Sequence, residues 1–141
     1  IYLGCFPTLS TGAPIPLRMK RGRYLYNFSG SAAADTLALN AGTATVDTAV
    51  DLAAWVPLHS QVATIRAYLV STTGAAANTA IIRTEGESGA DEIGMFVPAV
   101  VGASATVITD IITDADQDIA YAVTNFTSAP GLSISVHGFY E

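Results

Sequence analysis

Charged side chains are scarce in this sequence. Only 13% of its 141 residues are charged, whereas 50% are hydrophobic. Ordinary soluble domains carry about 25% charged residues. A monomer with so little charge would present a largely apolar or neutral surface to water. We therefore expect other subunits to cover part of that surface, which indicates a homo-oligomer.

Residues that carry catalysis are also few. Cys5 is the only cysteine, which excludes an intrachain disulfide. The two histidines, His59 and His137, are not accompanied by a Gly-x-Ser-x-Gly motif that would present a nucleophile. Glycine-rich phosphate-binding motifs are absent as well. The sequence thus predicts neither an enzyme nor a bound cofactor.

Long apolar runs are missing too. No stretch of the sequence approaches the ~20 apolar residues that a membrane-spanning helix needs, so we expect no membrane partner. The length of the chain fits one domain, which would bury roughly two-thirds of the surface that its unfolded form exposes.

Basic residues are missing from most of the chain. No lysine follows Lys20, and four of the six basic residues lie between residues 18 and 23. No acidic residue precedes Asp35. The first 23 residues therefore carry a charge of +4, whereas the remainder, with two basic and twelve acidic residues, carries −10. Such an asymmetry indicates an N-terminal arm with a partner of its own.

We place this arm at residues 1–26, ahead of a single β-sandwich domain over residues 27–141. Pro7, Pro14 and Pro16 disfavour helix and central strand in the arm, and its apolar content is too high for a free linker. We expect an extended arm that docks on an acidic protein surface, such as a neighbouring copy, and nucleic acid is the weaker alternative. The predicted docking residues are Arg18, Lys20, Arg21, Arg23, Tyr24 and Tyr26.

The rest of the sequence favours β-strands. Residues 132–140 and 62–70 alternate between apolar and polar positions, the pattern of a half-buried strand. Further strands are predicted over residues 43–47, 79–84, 93–97, 106–112 and 119–124. Seven or eight short strands separated by turns indicate an all-β fold, an antiparallel β-sandwich or jelly roll. Residues 31–39 and 48–54 are the two candidates for a single turn of helix.

Several predicted strands carry apolar residues on both faces, as at residues 81–82, 95–96 and 111–112. A solitary sandwich would place charge on its outer faces and defend its edge strands with lysine, proline or bulges. Burial of an outer face or an edge in an oligomer accounts for this pattern.

An acidic segment, residues 114–118, places carboxylates at alternate positions, as a calcium-binding loop does. However, Ile119 stands where such a loop has glycine, and Asn125 stands where it has a bidentate glutamate. We therefore favour a solvated turn between two strands and predict no metal site, with calcium binding as the open alternative.

The loop at residues 50–57 contains the only tryptophan of the chain. Two roles are open for Trp55: packing over an open end of the sandwich, or providing an aromatic platform for a sugar ring. Asp51 and Pro57 flank it, and all three residues are predicted to structure the loop or contact a ligand.

The sequence from Asp51 to Pro57, Asp-Leu-Ala-Ala-Trp-Val-Pro, followed by the strand at residues 62–70, resembles small β-sandwich domains of tailed-bacteriophage virion proteins. A charged hairpin at residues 83–92, the stretch Asp-Gln-Asp-Ile-Ala-Tyr-Ala-Val at 116–123 and the ending Ile-Ser-Val-His-Gly-Phe-Tyr at 134–140 agree with this pattern. The similarity covers residues 43–141.

Domains of this kind are found in tail fibres, head fibres and capsid decoration (cement) proteins, commonly as trimers. The resemblance implies a homotrimer in the virion, with capsid or tail proteins as partners and without catalytic residues. It transfers Asp51, Trp55 and Pro57 only as loop-structuring positions. The alternative is a receptor- or carbohydrate-binding domain of a tail fibre, with a glycan as its partner.

Overall fold

The computed structural model describes residues 17–26, 36–74, 76–87, 92–124 and 131–140, and these residues form ten β-strands and no helix. The strands are β1 (Leu17–Lys20), β2 (Arg23–Tyr26), β3 (Leu37–Gly42), β4 (Thr48–Asp51), β5 (Val62–Val70), β6 (Asn78–Thr84), β7 (Ile93–Val97), β8 (Ser104–Ile112), β9 (Asp118–Thr124) and β10 (Leu132–Tyr140).

The strands make two antiparallel sheets. The larger sheet has the order β1-β2-β10-β5-β8, and β3 also pairs with β10 beside β2. The smaller sheet has the order β4-β9-β6-β7. One shared hydrophobic core contains residues from both sheets, so the predicted all-β sandwich is confirmed.

The strand order is that of a jelly roll. Consecutive strands β3 and β4, β5 and β6, β7 and β8, and β9 and β10 lie in opposite sheets. The resulting four-stranded sets are β3-β10-β5-β8 and β4-β9-β6-β7, as expected for eight strands wound as two Greek keys. The hairpin β1–β2 is an addition at the edge of the larger set.

Apolar alternation fixes the faces of the central strands. On β5, the inward residues Ala63, Ile65, Ala67 and Leu69 are fully buried. On β10, Ile134 and Val136 are fully buried, while Ser133 and His137 are partly exposed on the outer face. The bounds predicted for the strands at residues 62–70, 93–97 and 132–140 agree with the structure.

The segment between residues 31 and 54 departs from the sequence prediction. The strand predicted at residues 43–47 is absent, and strands β3 and β4 lie on either side of it. The prediction of a helical turn at residues 31–39 and at residues 48–54 is also wrong where the structure describes the chain. Residues 37–42 and 48–51 are strands. Residues 43–47 carry the chain from the larger sheet to the smaller one, and this crossing overrides their local β-propensity.

Residues 17–26, which the sequence assigns to the extended arm, form a hairpin in the larger sheet. Its two-residue turn is Arg21-Gly22, and both residues have positive φ (56° and 77°). This is the type I′ geometry that matches the twist of paired strands. The second strand then pairs with residues 138–140 of β10. Residues 1–16 of the arm lie outside the described residues.

Candidate functional site

Exposed apolar side chains are concentrated on one side of the sandwich. Eight large hydrophobic residues are exposed among those described, and five of them lie between residues 96 and 112. We call these five the β7–β8 rim: Phe96, Val100, Val101, Ile108 and Ile112. They lie on the edge strand of the smaller sheet, on the edge strand of the larger sheet and on the connection between these strands.

The alternation of β8 explains why its isoleucines are exposed. Ile111 points into the core and is 5% exposed, whereas Ile108 and Ile112 lie on the outer face and are 60% and 51% exposed. In β7, Met95 is buried for the same reason, and Phe96 is 62% exposed. The sequence analysis identified residues 95–96 and 111–112 as places where a strand carries apolar residues on both faces. The structure confirms this arrangement.

Strand β8 also lacks the usual defences of an edge strand. All nine of its residues pair with β5 without a register shift, so no bulge interrupts it. It contains no lysine or proline, and its one charged residue is Asp110. A long, regular edge with exposed apolar side chains is a template for another strand.

The charge of Asp110 is neutralised inside the subunit. Its Oδ1 accepts hydrogen bonds from Arg23 Nη2 at 3.0 Å and from Thr64 Oγ1 at 2.6 Å, and its Oδ2 accepts one from the Tyr140 hydroxyl at 2.9 Å. Arg23 Nε also donates to Thr64 Oγ1 at 3.0 Å. We call these four residues the Asp110 network. It links β2, β10, β5 and β8 across the outer face of the larger sheet.

The ring of Tyr140 is held within this network. The Arg23 guanidinium lies 5.5 Å from the ring centroid, within the range of a cation–π contact. The hydrogen bond from its hydroxyl to Asp110 raises the pKa of Tyr140, and the nearby Arg23 charge only partly opposes this effect. The network therefore leaves Asp110 little capacity to repel a carboxylate of a second chain.

The predicted docking residues have different positions. Arg18 and Lys20 lie in β1, and Arg21 is exposed in the hairpin turn. Three others contact the sandwich itself. Arg23 belongs to the Asp110 network, Tyr24 stacks on Phe139 with ring centroids 5.2 Å apart, and Tyr26 is 4% exposed. Burial raises the pKa of Tyr26, whose hydroxyl donates to the Trp55 carbonyl oxygen.

The loop around Trp55 is held by its own backbone. The amides of Trp55 and Val56 donate to the Leu52 carbonyl at 2.8 and 2.9 Å, and Leu52 and Val56 are almost completely buried. Asp51 Oδ1 accepts a hydrogen bond from the amide of Ala53 at 2.7 Å.

The indole of Trp55 is partly buried and packs against the core, and the Pro57 carbonyl accepts a hydrogen bond from the amide of Ser60 at 2.8 Å. These contacts give Asp51, Trp55 and Pro57 structural tasks in the loop.

The acidic segment at residues 114–118 is a tight turn. Asp114 Oδ1 accepts hydrogen bonds from the amides of Asp116 and Asp118 at 3.0 and 2.7 Å. Burial, together with the charges of Asp114, Asp51, Asp116 and Glu85, raises the pKa of Asp118. Among the described residues no group of three or more metal-binding side chains is arranged to hold an ion.

The two histidines lie in different parts of the chain, one in a loop and one in a strand. His59 is exposed in the loop after Pro57. His137 occupies the register shift between Val136 and Gly138 of β10, and burial and the charge of Arg66 lower its pKa. In the part of the chain that the structure describes, no helix is long and apolar enough to span a membrane.

Sequence reasoning missed the Asp110 network, and of the rim residues it noted only Phe96 and Ile112, each within an apolar pair. Asp110 and Arg23 are 87 positions apart and belong to no motif, so only the fold brings them together. The rim had a signal in the apolar pairs 95–96 and 111–112, but the sequence does not show which strands are at the edges.

Similarity to other proteins adds no assignment: no protein-family model matches the chain, and no curated protein matches its sequence.

Proposed function

We propose that the chain is a non-enzymatic structural component of a bacteriophage particle. It works there as a homotrimer, in the manner of a capsid decoration (cement) or fibre protein. Contacts between copies use the β7–β8 rim, and other virion proteins provide the remaining partners.

The observation that carries this proposal is the rim itself. Phe96, Ile108 and Ile112 are each more than half exposed, although they are the kinds of residue that proteins normally bury. They border an edge strand without lysine, proline or bulge. Exposed apolar patches next to an open edge are typical of surfaces that a second chain covers.

The jelly-roll topology supports the location in a virion. This topology is common in viral capsid domains, although lectin domains also use it. Because a fold alone does not define a function, the proposal also depends on the resemblance between residues 43–141 and virion domains.

Attachment to other virion proteins is assigned to the start of the chain. Residues 23–26 of the predicted arm are part of the sandwich through the Asp110 network and the stacking of Tyr24 on Phe139. We therefore narrow the docking role to residues 1–16 and to Arg18, Lys20 and Arg21 of the hairpin.

Mass spectrometry of gradient-purified phage particles tests the location. We expect the chain in the particles, in a copy number divisible by three. A variant without residues 1–16 should be missing from particles assembled in its presence. In solution it should form an oligomer of the same number of chains as the intact protein, because the deletion removes no described contact of the rim. Absence of the intact chain from the particles, or normal incorporation of the shortened one, contradicts the proposal.

A further inference from the structure

A shallow trough runs along β10 on the outer face of the larger sheet. Its volume is about 190 Å³, and Leu37, Arg66, Tyr68, Ser133 and Ser135 line it. We call it the β10 trough. Its β5 residues Arg66 and Tyr68 pair with Ile108 and Thr106 of β8, so the trough borders the β7–β8 rim on the outer face of the larger sheet.

Small residues on the central strand create the trough. Ser133 and Ser135 occupy outward positions of β10, where they pair with Tyr68 and Arg66 of β5. On the other side of β10, Ser135 also pairs with Leu37 of β3. Two serines thus form the floor, while longer side chains on both neighbouring strands form the walls.

The trough is positively charged on an acidic protein. Arg23 and Arg83 form ion pairs with carboxylates, whereas Arg66 is exposed and forms no ion pair with a described residue. His137 continues the outer face of β10 beyond Ser135, and the charge of Arg66 contributes to lowering its pKa. The net charge of the chain is −6, and an arginine without an ion-pair partner among the described residues provides a site for an external anion.

We propose that the β10 trough binds a sugar ring that carries a carboxylate. Arg66 pairs with the carboxylate through its two-pronged guanidinium group. The hydroxyls of Ser133 and Ser135 exchange hydrogen bonds with the hydroxyls of the sugar. Tyr68 covers one face of the ring, since tyrosine combines an apolar body with a polar tip. This ligand site goes beyond the structural role proposed above.

The size and chemistry of the trough favour a single sugar ring over larger ligands. Pockets for drug-sized molecules and cofactors measure roughly 300–1,000 Å³ and are mostly apolar. This trough is smaller, and three of its five lining residues carry a hydroxyl. A carboxylate without a ring would use Arg66 alone and leave Tyr68 and the two serines without a role.

Saturation-transfer difference NMR on the intact protein tests the proposal with three probes. They are glucuronate, glucose (the same ring without the carboxylate) and acetate (a carboxylate without a ring). We expect the protein to bind glucuronate with an affinity at least about tenfold higher than its affinity for glucose or acetate. Each of these two probes lacks one of the two contacts. Arg66→Gln and Tyr68→Ala should each weaken the binding of glucuronate, Arg66→Gln by about tenfold.

Arg21→Gln is the matched control, because Arg21 is an exposed arginine outside the trough. It should leave the affinity for glucuronate unchanged. The proposal is overturned if glucuronate does not bind, if acetate binds equally well, or if Arg66→Gln has no more effect than Arg21→Gln. It is also overturned if raising the protein concentration displaces glucuronate, because a second copy of the chain then occupies the trough.

Discussion

Asp110 connects the N-terminal hairpin to the far edge of the larger sheet. Its carboxylate accepts hydrogen bonds from Arg23, Thr64 and Tyr140, which come from three other strands. Hydrogen bonds to charged groups contribute about 1.5–3 kcal/mol each when buried. Here the side chains of Arg23 and Asp110 are 29% and 39% exposed, so water screens part of this energy.

We expect Asp110→Ala to lower the free energy of unfolding by about 1–2 kcal/mol, because the Thr64 hydroxyl is buried and loses its acceptor. Chemical denaturation measures the change. Asp47→Ala is the control, since Asp47 pairs with Arg83 at an exposed position, and it should cost less than about 1 kcal/mol. Equal losses from both substitutions would show that the Asp110 network has no special role.

We expect His137 to make the free energy of unfolding depend on pH. Its pKa is lowered in the folded protein by burial and by Arg66, so the unfolded chain binds a proton more readily. The free energy of unfolding therefore decreases as the pH falls below the ordinary value of 6.5 and through the folded pKa.

In His137→Gln this contribution is absent, and stability between pH 7 and pH 5 should decrease less than in the wild type. Thermal unfolding over this pH range measures the difference. Parallel pH profiles for the two proteins would show that the pKa of His137 is not lowered in the fold.

For single residues, the sequence predicted which way a side chain points better than which residues it contacts. The outward direction of Ser133, Ser135 and His137 followed from simple alternation and agrees with the structure. The partners of Asp110 could not be predicted from alternation, because they lie in strands that are remote in sequence. No local rule links residues 23, 64, 110 and 140.

Strand β10 lies at the centre of the larger sheet and has partners on both edges. At Gly138 it approaches β2 so closely that a Cβ atom would overlap the Tyr24 carbonyl oxygen. We expect Gly138→Ala to separate the hairpin from β10 and to cost about 1–3 kcal/mol in thermal or chemical unfolding. Gly94→Ala is the control: its Cβ would meet nothing within 4 Å, so stability should stay the same or increase slightly. The same loss at both positions would contradict close packing at Gly138.

Strand β8 is the element on which the proposed assembly depends. Ile108→Lys places a charge on the outer face of the open edge, where lysine prevents pairing with another strand. Because Ile108 is 60% exposed, the subunit should fold normally. We expect the variant to sediment as a smaller species than the wild type.

Val46→Lys is the matched control for this substitution. Val46 is 71% exposed but lies outside the rim, between β3 and β4, so the variant should keep the oligomeric mass of the wild type. Identical sedimentation of both variants and the wild type would exclude the rim as the interface between copies.

Strand positions were predictable wherever alternation was regular. The bounds of β5, β7 and β10 followed from apolar spacing. Apolar spacing did not predict the structure of the region between β3 and β4, because the crossing from one sheet to the other is a property of the topology. The hairpin at residues 17–26 was hidden by the prolines that precede it and by its own basic charge, although Arg21-Gly22 is a two-residue turn.

At the scale of the whole molecule, the low charge and the open edge both favour contact between copies of the chain. A chain with 13% charged residues has few means to keep an apolar rim in water. Its strand order leaves β8 and β7 as edges of the two sheets, and the exposed apolar residues collect there. In the proposed oligomer, association between copies would remove this surface from water and pair the free backbone of the edge.

The mass of the purified protein in solution, measured by size-exclusion chromatography with light scattering over a range of concentrations, tests this account most directly. We expect three times the 14.5 kDa of one chain. A mass of one chain that persists at the highest concentration would contradict the account.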